Sequence, residues 1–226
     1  MMKHVKPHRI QTGFTLVEMA IVLVIVGVLL GGLLPTISSQ IEQQRRTETR
    51  KHLDEIKDAL IGYTIINGYL PCPTTTADPT SANYGVADPG GCSSAPTSEG
   101  YLPWKTLGVS EMDAWGSKRS SSGSPWTGYW RYRVDRNFAA AFTLSTSFTD
   151  SLGIQDSSGN SLNTTSERPV AIVFSTGPNI TADGQNGGTF DATYQSDVPN
   201  QSFDDILIWI SRPQLLNRMV AAGQLP

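Results

Sequence analysis

The feature that most constrains this chain is an apolar run near its start, GFTLVEMAIVLVIVGVLLGGLLP, which extends from Gly13 to Pro35. Between Phe14 and Leu34 the only ionisable side chain is Glu18. A helix of this length extends over about 31 Å, which matches the hydrocarbon core of a bilayer. Since a lone carboxylate in such a segment is costly in lipid, Glu18 is predicted to be a functional residue.

The charges around the apolar run predict an orientation for the chain. Lys3, Lys6 and Arg9 precede the run without any acidic residue, and the ten residues after Leu34 contain no base. This asymmetry favours a cytoplasmic N-terminus and a single membrane span. A secretory signal peptide and an ordinary single-span anchor are the alternatives, although the run is long for a signal peptide.

A helical pattern continues beyond Pro35. Apolar residues recur there at intervals of three or four, with one polar gap, at Ile37, Ile41, Leu53, Ile56, Leu60 and Tyr63. This spacing is typical of an amphipathic helix, which Asn67-Gly68 would end. Because a lone amphipathic helix must bury its apolar face against something, we expect residues 36–67 to pack on a β-sheet.

Residues 68–226 are predicted to form a β-rich globular head with long loops. Four strands are predicted, at Tyr129–Val134, Phe138–Phe148, Val170–Phe174 and Ile206–Ile210. The stretches 68–128 and 150–168 are predicted to be irregular, and Ser211-Arg-Pro213 predicts a final helix that ends near Gly223. The predicted fold class is therefore α+β, with a long N-terminal helix packed on a small antiparallel sheet.

The composition argues against several classes of function. The net charge is −3, and three of the bases lie in the leader, residues 1–13, so the rest of the chain is more acidic still. An acidic body argues against a nucleic-acid-binding surface on the head. His52 is the only histidine beyond the leader, so general bases and imidazole ligands are scarce. We therefore expect a protein that is not an enzyme.

The sequence contains two cysteines, Cys72 and Cys92. The predicted orientation places them in an oxidising environment, where a disulfide is favoured. Closing a loop of about 21 residues would stabilise the head by roughly 3 kcal/mol. Metal binding by two isolated cysteines is the less favoured alternative.

The segment of the head with the strongest potential for chemistry is Ser175–Asp205, a polar stretch between two predicted strands. Side chains with oxygen atoms gather in it, at Asn179, Asp183, Asn186, Asp191, Asp197, Asp204 and Asp205. Such ligands suit a hard cation, and Ca²⁺ accepts about six to eight of them. The spacing is not that of an EF-hand, and a solvated loop of Asx turns is the alternative.

The start of the apolar run resembles a known processing site. The sequence Gly13-Phe-Thr-Leu-Val-Glu18 resembles the prepilin motif of type IV pilins and type II secretion pseudopilins, in which a kinking proline often occurs near the position of Pro35. The resemblance implies cleavage between Gly13 and Phe14 by a prepilin peptidase, N-methylation of Phe14, and recruitment into a filament through Glu18. It further implies partnership with other pilin subunits and an inner-membrane assembly platform, followed by a periplasmic or extracellular location.

A second resemblance concerns the head. Asp113-Ala-Trp-Gly116 is similar to an Asp-Pro-Trp-Gly element of the major pseudopilin of type II secretion, with alanine in place of proline. Three further motifs are similar to the calcium loop of that family: Ser175-Thr-Gly177, Ala182-Asp-Gly184 and Asp204-Asp-Ile-Leu-Ile-Trp209. The loop here is longer than in the family, and a disulfide loop and a C-terminal tail are additional.

The second resemblance implies a set of calcium ligands. Asp183 and Asp204 are the first candidates, and Asp205 and Asn179 follow. The leading hypothesis is thus a structural subunit of a type IV pilus-like or pseudopilus filament, with Ca²⁺ as a possible cofactor. The alternative is a minor pilin at the filament tip that binds a surface, DNA or a secreted substrate through the insertions at 72–100 and 150–168.

Overall fold

The computed structural model describes residues 13–225 except 75, 77, 95–97, 117–127 and 189, and for residues 30–37 it describes the backbone alone. Residues 1–12 of the predicted leader lie outside this part of the chain, as does part of the predicted connection 68–128. The chain divides into two compact units, Met1–Gln44 and Arg45–Pro226.

Helix α1 runs without interruption from Leu16 to Asn67. The large apolar side chains described before Leu30 are 43–90% exposed. Among the described residues, no helix has a stretch long and apolar enough to cross a membrane. The predicted span, Phe14–Pro35, includes residues 30–35, whose side chains lie outside the described part of the chain.

The part of α1 that lies in the second unit is amphipathic, as predicted. Leu53, Ile56 and Leu60 are fully buried in the main hydrophobic core. The helix ends at the predicted position, where Gly68 has a φ of 81° and donates its N–H to the Thr64 carbonyl at 2.8 Å. Glycine adopts this left-handed conformation without the clash that a Cβ would cause, so it suits the end of a helix.

Two other members of the predicted apolar face, Ile41 and Tyr63, are not buried in this core. Ile41 belongs to the first unit and is 47% exposed, whereas Tyr63 is half-buried. The side chain of Ile37 lies outside the described residues.

The second unit also contains short strands and two further helices. In chain order these are β1 Glu99–Tyr101, α2 Trp104–Leu107, β2 Arg131–Val134, β3 Gly153–Gln155, β4 Pro169–Ser175, β5 Thr193–Gln195, β6 Ile206–Ser211 and α3 Arg212–Ala221. Strands β1, β2, β4 and β6 form an antiparallel sheet in that order, and β3 pairs in parallel with β5. The predicted α+β class is confirmed, with the parallel pair as an addition.

Strand β4 lies at the centre of the fold, and all seven of its residues are buried. Ala171 and Val173 belong to the core that includes α1 and α3. Ile172 and Phe174 belong to a second cluster with Tyr194 and other residues of the β3–β5 region. Because successive side chains of a strand point to opposite faces, β4 serves both clusters.

The predicted strand Phe138–Phe148 is wrong. A 3₁₀ turn ends at Phe138, and the chain continues through turns rather than along a sheet. The spacing of its aromatic residues has another cause, because the Phe138 ring packs on Phe142 and Phe148 with centroid distances of 5.1 and 5.9 Å. Buried Asp135 accepts backbone N–H groups from both ends of the segment and so closes it into a loop.

The predicted irregular regions contain structure that sequence patterns did not indicate. β1 lies in the predicted connection 68–128, β3 in the predicted loop 150–168 and β5 in the polar segment. Each strand has three residues, which is too short to show a period of two. The disulfide between Cys72 and Cys92 is present, and both residues are buried in the main core.

Candidate functional site

The predicted assembly residue, Glu18, lies in the first turn of α1 and forms a capping box with Thr15. The backbone N–H and the hydroxyl of Thr15 donate to Glu18 Oε2 at 2.9 and 2.8 Å, and Glu18 N–H donates to Thr15 Oγ1 at 3.2 Å. These bonds satisfy N–H groups that the start of a helix leaves without an intrahelical partner. The signal for this box is the Thr-x-x-Glu spacing before an apolar run, and it was not among the predicted features.

The predicted processing residues, Gly13 and Phe14, precede α1. The Phe14 side chain is 80% exposed. A Cβ atom added to Gly13 would meet no atom of the described residues within 4 Å. Packing within the described residues therefore places no demand for glycine at this position.

The predicted metal ligands of the head lie together. Asp183, Asp204 and Asp205 each offer a carboxylate oxygen, and these oxygens lie within 4.8 Å of one another. Asp183 precedes a 3₁₀ turn at Gly184–Gly187, and the other two aspartates immediately precede β6. The fold thus brings two distant parts of the polar segment to the same place.

Hydrogen bonds between backbone and side chains hold this cluster. Asp183 N–H donates to Asp205 Oδ2 at 2.9 Å, and Asp204 N–H donates to Asp183 Oδ2 at 2.9 Å. Asn179 donates its side-chain amide to both Asp183 oxygens at 3.0 Å, while its own Oδ1 accepts Thr181 N–H at 2.7 Å. Asn179 therefore contacts the cluster as a donor, whereas the sequence predicted it as a ligand.

Asp205 has the most unusual environment in the cluster. Its side chain is buried, and its Oδ1 has no hydrogen-bond partner among the described residues. Burial raises the pKa of Asp205 to about 7, with smaller raising effects from the charges of Asp183 and Asp204, although hydrogen bonds from Asp183 N–H and the Asn186 amide lower it. A buried carboxylate oxygen without a partner is costly, and a bound cation would remove that cost.

The other acidic residues of the segment lie apart from this cluster. Asp191 accepts the N–H of Thr193 at 3.2 Å, and Asp197 accepts the N–H of Ser157 at 2.9 Å. Asn186, which the sequence grouped with the acidic residues but did not assign as a ligand, contacts Asp205 through its side-chain amide at 2.9 Å. The sequence could not separate these roles, because they depend on how the segment folds back on itself.

One family model matches the start of the chain. It is described as the prokaryotic N-terminal methylation motif, and it covers residues 8–34. This is the prepilin-type motif of type IV pilins and pseudopilins. Neither a curated protein nor a solved structure matches the chain.

Proposed function

We propose that this chain, which carries the prepilin-type methylation motif, is a structural subunit of a type IV pilus-like or type II secretion pseudopilus filament. The observation that carries the proposal is the continuity of the motif with a 52-residue helix whose large apolar side chains before Leu30 are exposed. Exposed apolar surface of this extent favours association, because burying it releases ordered water. The partners would be other pilin subunits and an inner-membrane assembly platform.

In this proposal the apolar segment has two successive environments. Before assembly, Phe14–Leu34 would lie in the inner membrane with the N-terminus in the cytoplasm, as the basic leader favours. After assembly it would pack against the same segment of neighbouring subunits, and the head would face the periplasm or the exterior. The lone carboxylate of Glu18 would then pair with the Phe14 amine of a neighbour, since a charge in apolar surroundings requires a partner.

Processing by prepilin peptidase between Gly13 and Phe14 would create that amine. Substituting Gly13 tests this step, because an added Cβ at that position meets no atom of the described residues within 4 Å. We expect Gly13→Leu to leave the folded chain intact and to block cleavage, observed as retention of the leader on a denaturing gel. Gly27→Ala is the matched control, since an added Cβ at Gly27 also meets no described atom within 4 Å. Cleavage of the Gly13→Leu chain at the normal rate would contradict the proposed processing site.

The cluster of Asp183, Asp204 and Asp205 is the proposed Ca²⁺ site. Three convergent carboxylates and a buried oxygen without a described partner support it, and oxygen ligands are those that Ca²⁺ prefers. Bound Ca²⁺ would offset two of the three neighbouring negative charges and link the two ends of the segment. Its role would be structural, and no catalytic step is proposed for it.

A minor subunit at the filament tip is the second candidate. A polar cavity of about 230 Å³ favours it, because hydroxyl, amide and guanidinium groups from the predicted insertion 150–168 line this space, together with Thr193. Immunogold labelling of filaments separates the two roles. Label along the shaft supports a major subunit, whereas label confined to the tips supports the binding role.

A further inference from the structure

The geometry points to Asn186 as a positioning residue that orients the Asp205 carboxylate and connects the cation site to strand β5. This inference rests on the proposed Ca²⁺ site, and it adds a residue and a strand to that site. Asn186 is only 2% exposed, although its side chain is polar. Buried amides are retained where their hydrogen bonds are satisfied, so the partners of Asn186 indicate its role.

The side chain of Asn186 joins two parts of the segment. Its Nδ2 donates to Asp205 Oδ2 at 2.9 Å and to the Gln195 carbonyl at 3.0 Å. Its Oδ1 accepts the N–H of Gln195 at 2.8 Å. The backbone N–H of Asn186 also donates to the Asp183 carbonyl at 2.9 Å. Asn186 thus contacts the backbone of one proposed ligand, the side chain of another and the last residue of β5.

The two oxygens of the Asp205 carboxylate have different environments. Oδ2 accepts two N–H groups, from Asp183 and Asn186, so its orientation is fixed. Oδ1 is buried and has no hydrogen-bond partner in the described part of the chain. The carboxylate is therefore held with one oxygen bonded to protein and the other available to a cation. Residues that orient a ligand in this way typically change metal affinity by about 10–100-fold when they are substituted.

The same side chain makes β5 part of the site. Asn186 bonds both backbone groups of Gln195, and Gln195 pairs with Gln155 of β3. Gly184 brings the 3₁₀ turn close to β5, since a Cβ at this residue would lie 2.2 Å from Gln195 Oε1. Binding of Ca²⁺ to Asp205 should therefore strengthen the β3–β5 pairing. A ligand that stabilises a local structure makes its local opening less frequent, so the strands bonded to Asn186 should open less often when Ca²⁺ is bound.

Calcium titration calorimetry on the full-length chain in detergent tests this inference, with Ca²⁺ itself as the probe. We expect Asn186→Ala to weaken Ca²⁺ binding by about 10–100-fold. Asn186→Ser retains one hydroxyl donor and should weaken Ca²⁺ binding less than Asn186→Ala. If the alanine variant does not fold, the serine variant replaces it in the titration. The matched control is Asn163→Ala, because Asn163 supports β3 through the Ile154 N–H at 2.6 Å without contacting the aspartates.

Hydrogen exchange of residues 193–195, with and without Ca²⁺, provides a second readout. Ca²⁺ should slow exchange there in the wild type and in Asn163→Ala, but not in Asn186→Ala. If Asn186 had a purely structural role, Asn186→Ala and Asn163→Ala would both have a lower thermal midpoint and an unchanged Ca²⁺ affinity. That result would overturn the role of Asn186 and leave the proposed Ca²⁺ site standing. An equal loss of affinity in Asn163→Ala would also overturn it. Absence of Ca²⁺ binding by the wild type would overturn the site and the inference together.

Discussion

The start of α1 and the segment Ser175–Asp205 leave opposite physical requirements unmet. In the first region the apolar side chains are exposed, while the one carboxylate, Glu18, accepts two hydrogen bonds from Thr15, just before α1, but has no counter-charge among the described residues there. In the second region three carboxylates converge, and one oxygen of Asp205 is buried without a described partner. The first region needs more apolar surface, and the second needs positive charge.

This difference indicates what kind of partner each region can bind. An extended apolar surface is satisfied by another surface of similar size, such as a lipid bilayer or a second helix. A compact cluster of oxygens is satisfied by a single ion of high charge. Substitutions that meet one requirement should leave the other unchanged, and that independence can be tested.

The largest expected effect is the loss of assembly on substitution of Glu18. Glu18→Gln can still accept the Thr15 N–H, because glutamine also serves in a capping box, but it removes the charge. We therefore expect Glu18→Gln and Glu18→Ala alike to abolish filaments in electron micrographs, while Ca²⁺ binding by the head is unchanged. Glu42→Gln is the control on the same helix, and it should assemble normally. Normal filaments from Glu18→Gln would show that the cap, and not the charge, is what assembly requires.

Removal of the disulfide should have the next largest effect. Replacing Cys72 and Cys92 together by alanine should lower the free energy of unfolding by roughly 3 kcal/mol, because the unfolded chain gains the entropy of an open loop. Chemical denaturation of the full-length chain measures this loss. We expect the disulfide loop and the proposed Ca²⁺ site to act independently, so the variant should retain its response to Ca²⁺. Loss of that response would show that the two loops are not independent.

Chelation should destabilise the second unit by a similar or slightly smaller amount. At a Ca²⁺ concentration 100 times the Kd, binding stabilises the folded state by about 2.7 kcal/mol. For a domain of this size the thermal midpoint should fall by about 5–10 °C when a chelator is added. Asp205→Asn should melt at the same temperature with and without chelator. An unchanged wild-type midpoint at saturating Ca²⁺ would exclude the site.

The smallest expected effect is the difference between two glycine substitutions. Gly177 has a φ of 61°, and a Cβ there would lie 2.4 Å from Asp204 Oδ1. Gly159 also has a positive φ, at 82°, but in the described part of the chain no atom lies within 4 Å of an added Cβ. Both alanine variants incur the strain of a left-handed residue, and Gly177→Ala should lose about 1–3 kcal/mol more through displacement of Asp204. It alone should weaken Ca²⁺ binding, and equal effects in the two variants would contradict the geometry of the site.

The parts of the fold that the sequence predicted correctly share a physical cause. Each is an apolar pattern long enough to be recognised. Leu53, Ile56 and Leu60 have helical spacing and are buried. The continuous apolar runs that form β4 and β6 are long enough to be recognised as buried strands. The segment Phe138–Phe148 failed because aromatic residues that pack on one another in a loop can imitate the alternation of a strand.

The site was predictable to the extent that local sequence determines it. The motif around Glu18 is a run of adjacent residues, so its pattern is visible in the chain itself. The approach of Asp183 to Asp204 and Asp205 was suggested by resemblance, since these residues are about 20 positions apart. The role of Asn186 depends on the turn that places it between Asp205 and β5, and no local pattern specifies that turn.

The most direct test of the central claim is the mass of the mature N-terminus in cells that contain a prepilin peptidase. A filament subunit of the proposed kind should yield a chain that begins at Phe14 and carries one methyl group on its new amine. The same peptide should be absent from cells without the peptidase, where the leader remains attached. A chain that keeps residues 1–13 in the presence of the peptidase, or that is cleaved at another bond, would contradict the proposed function.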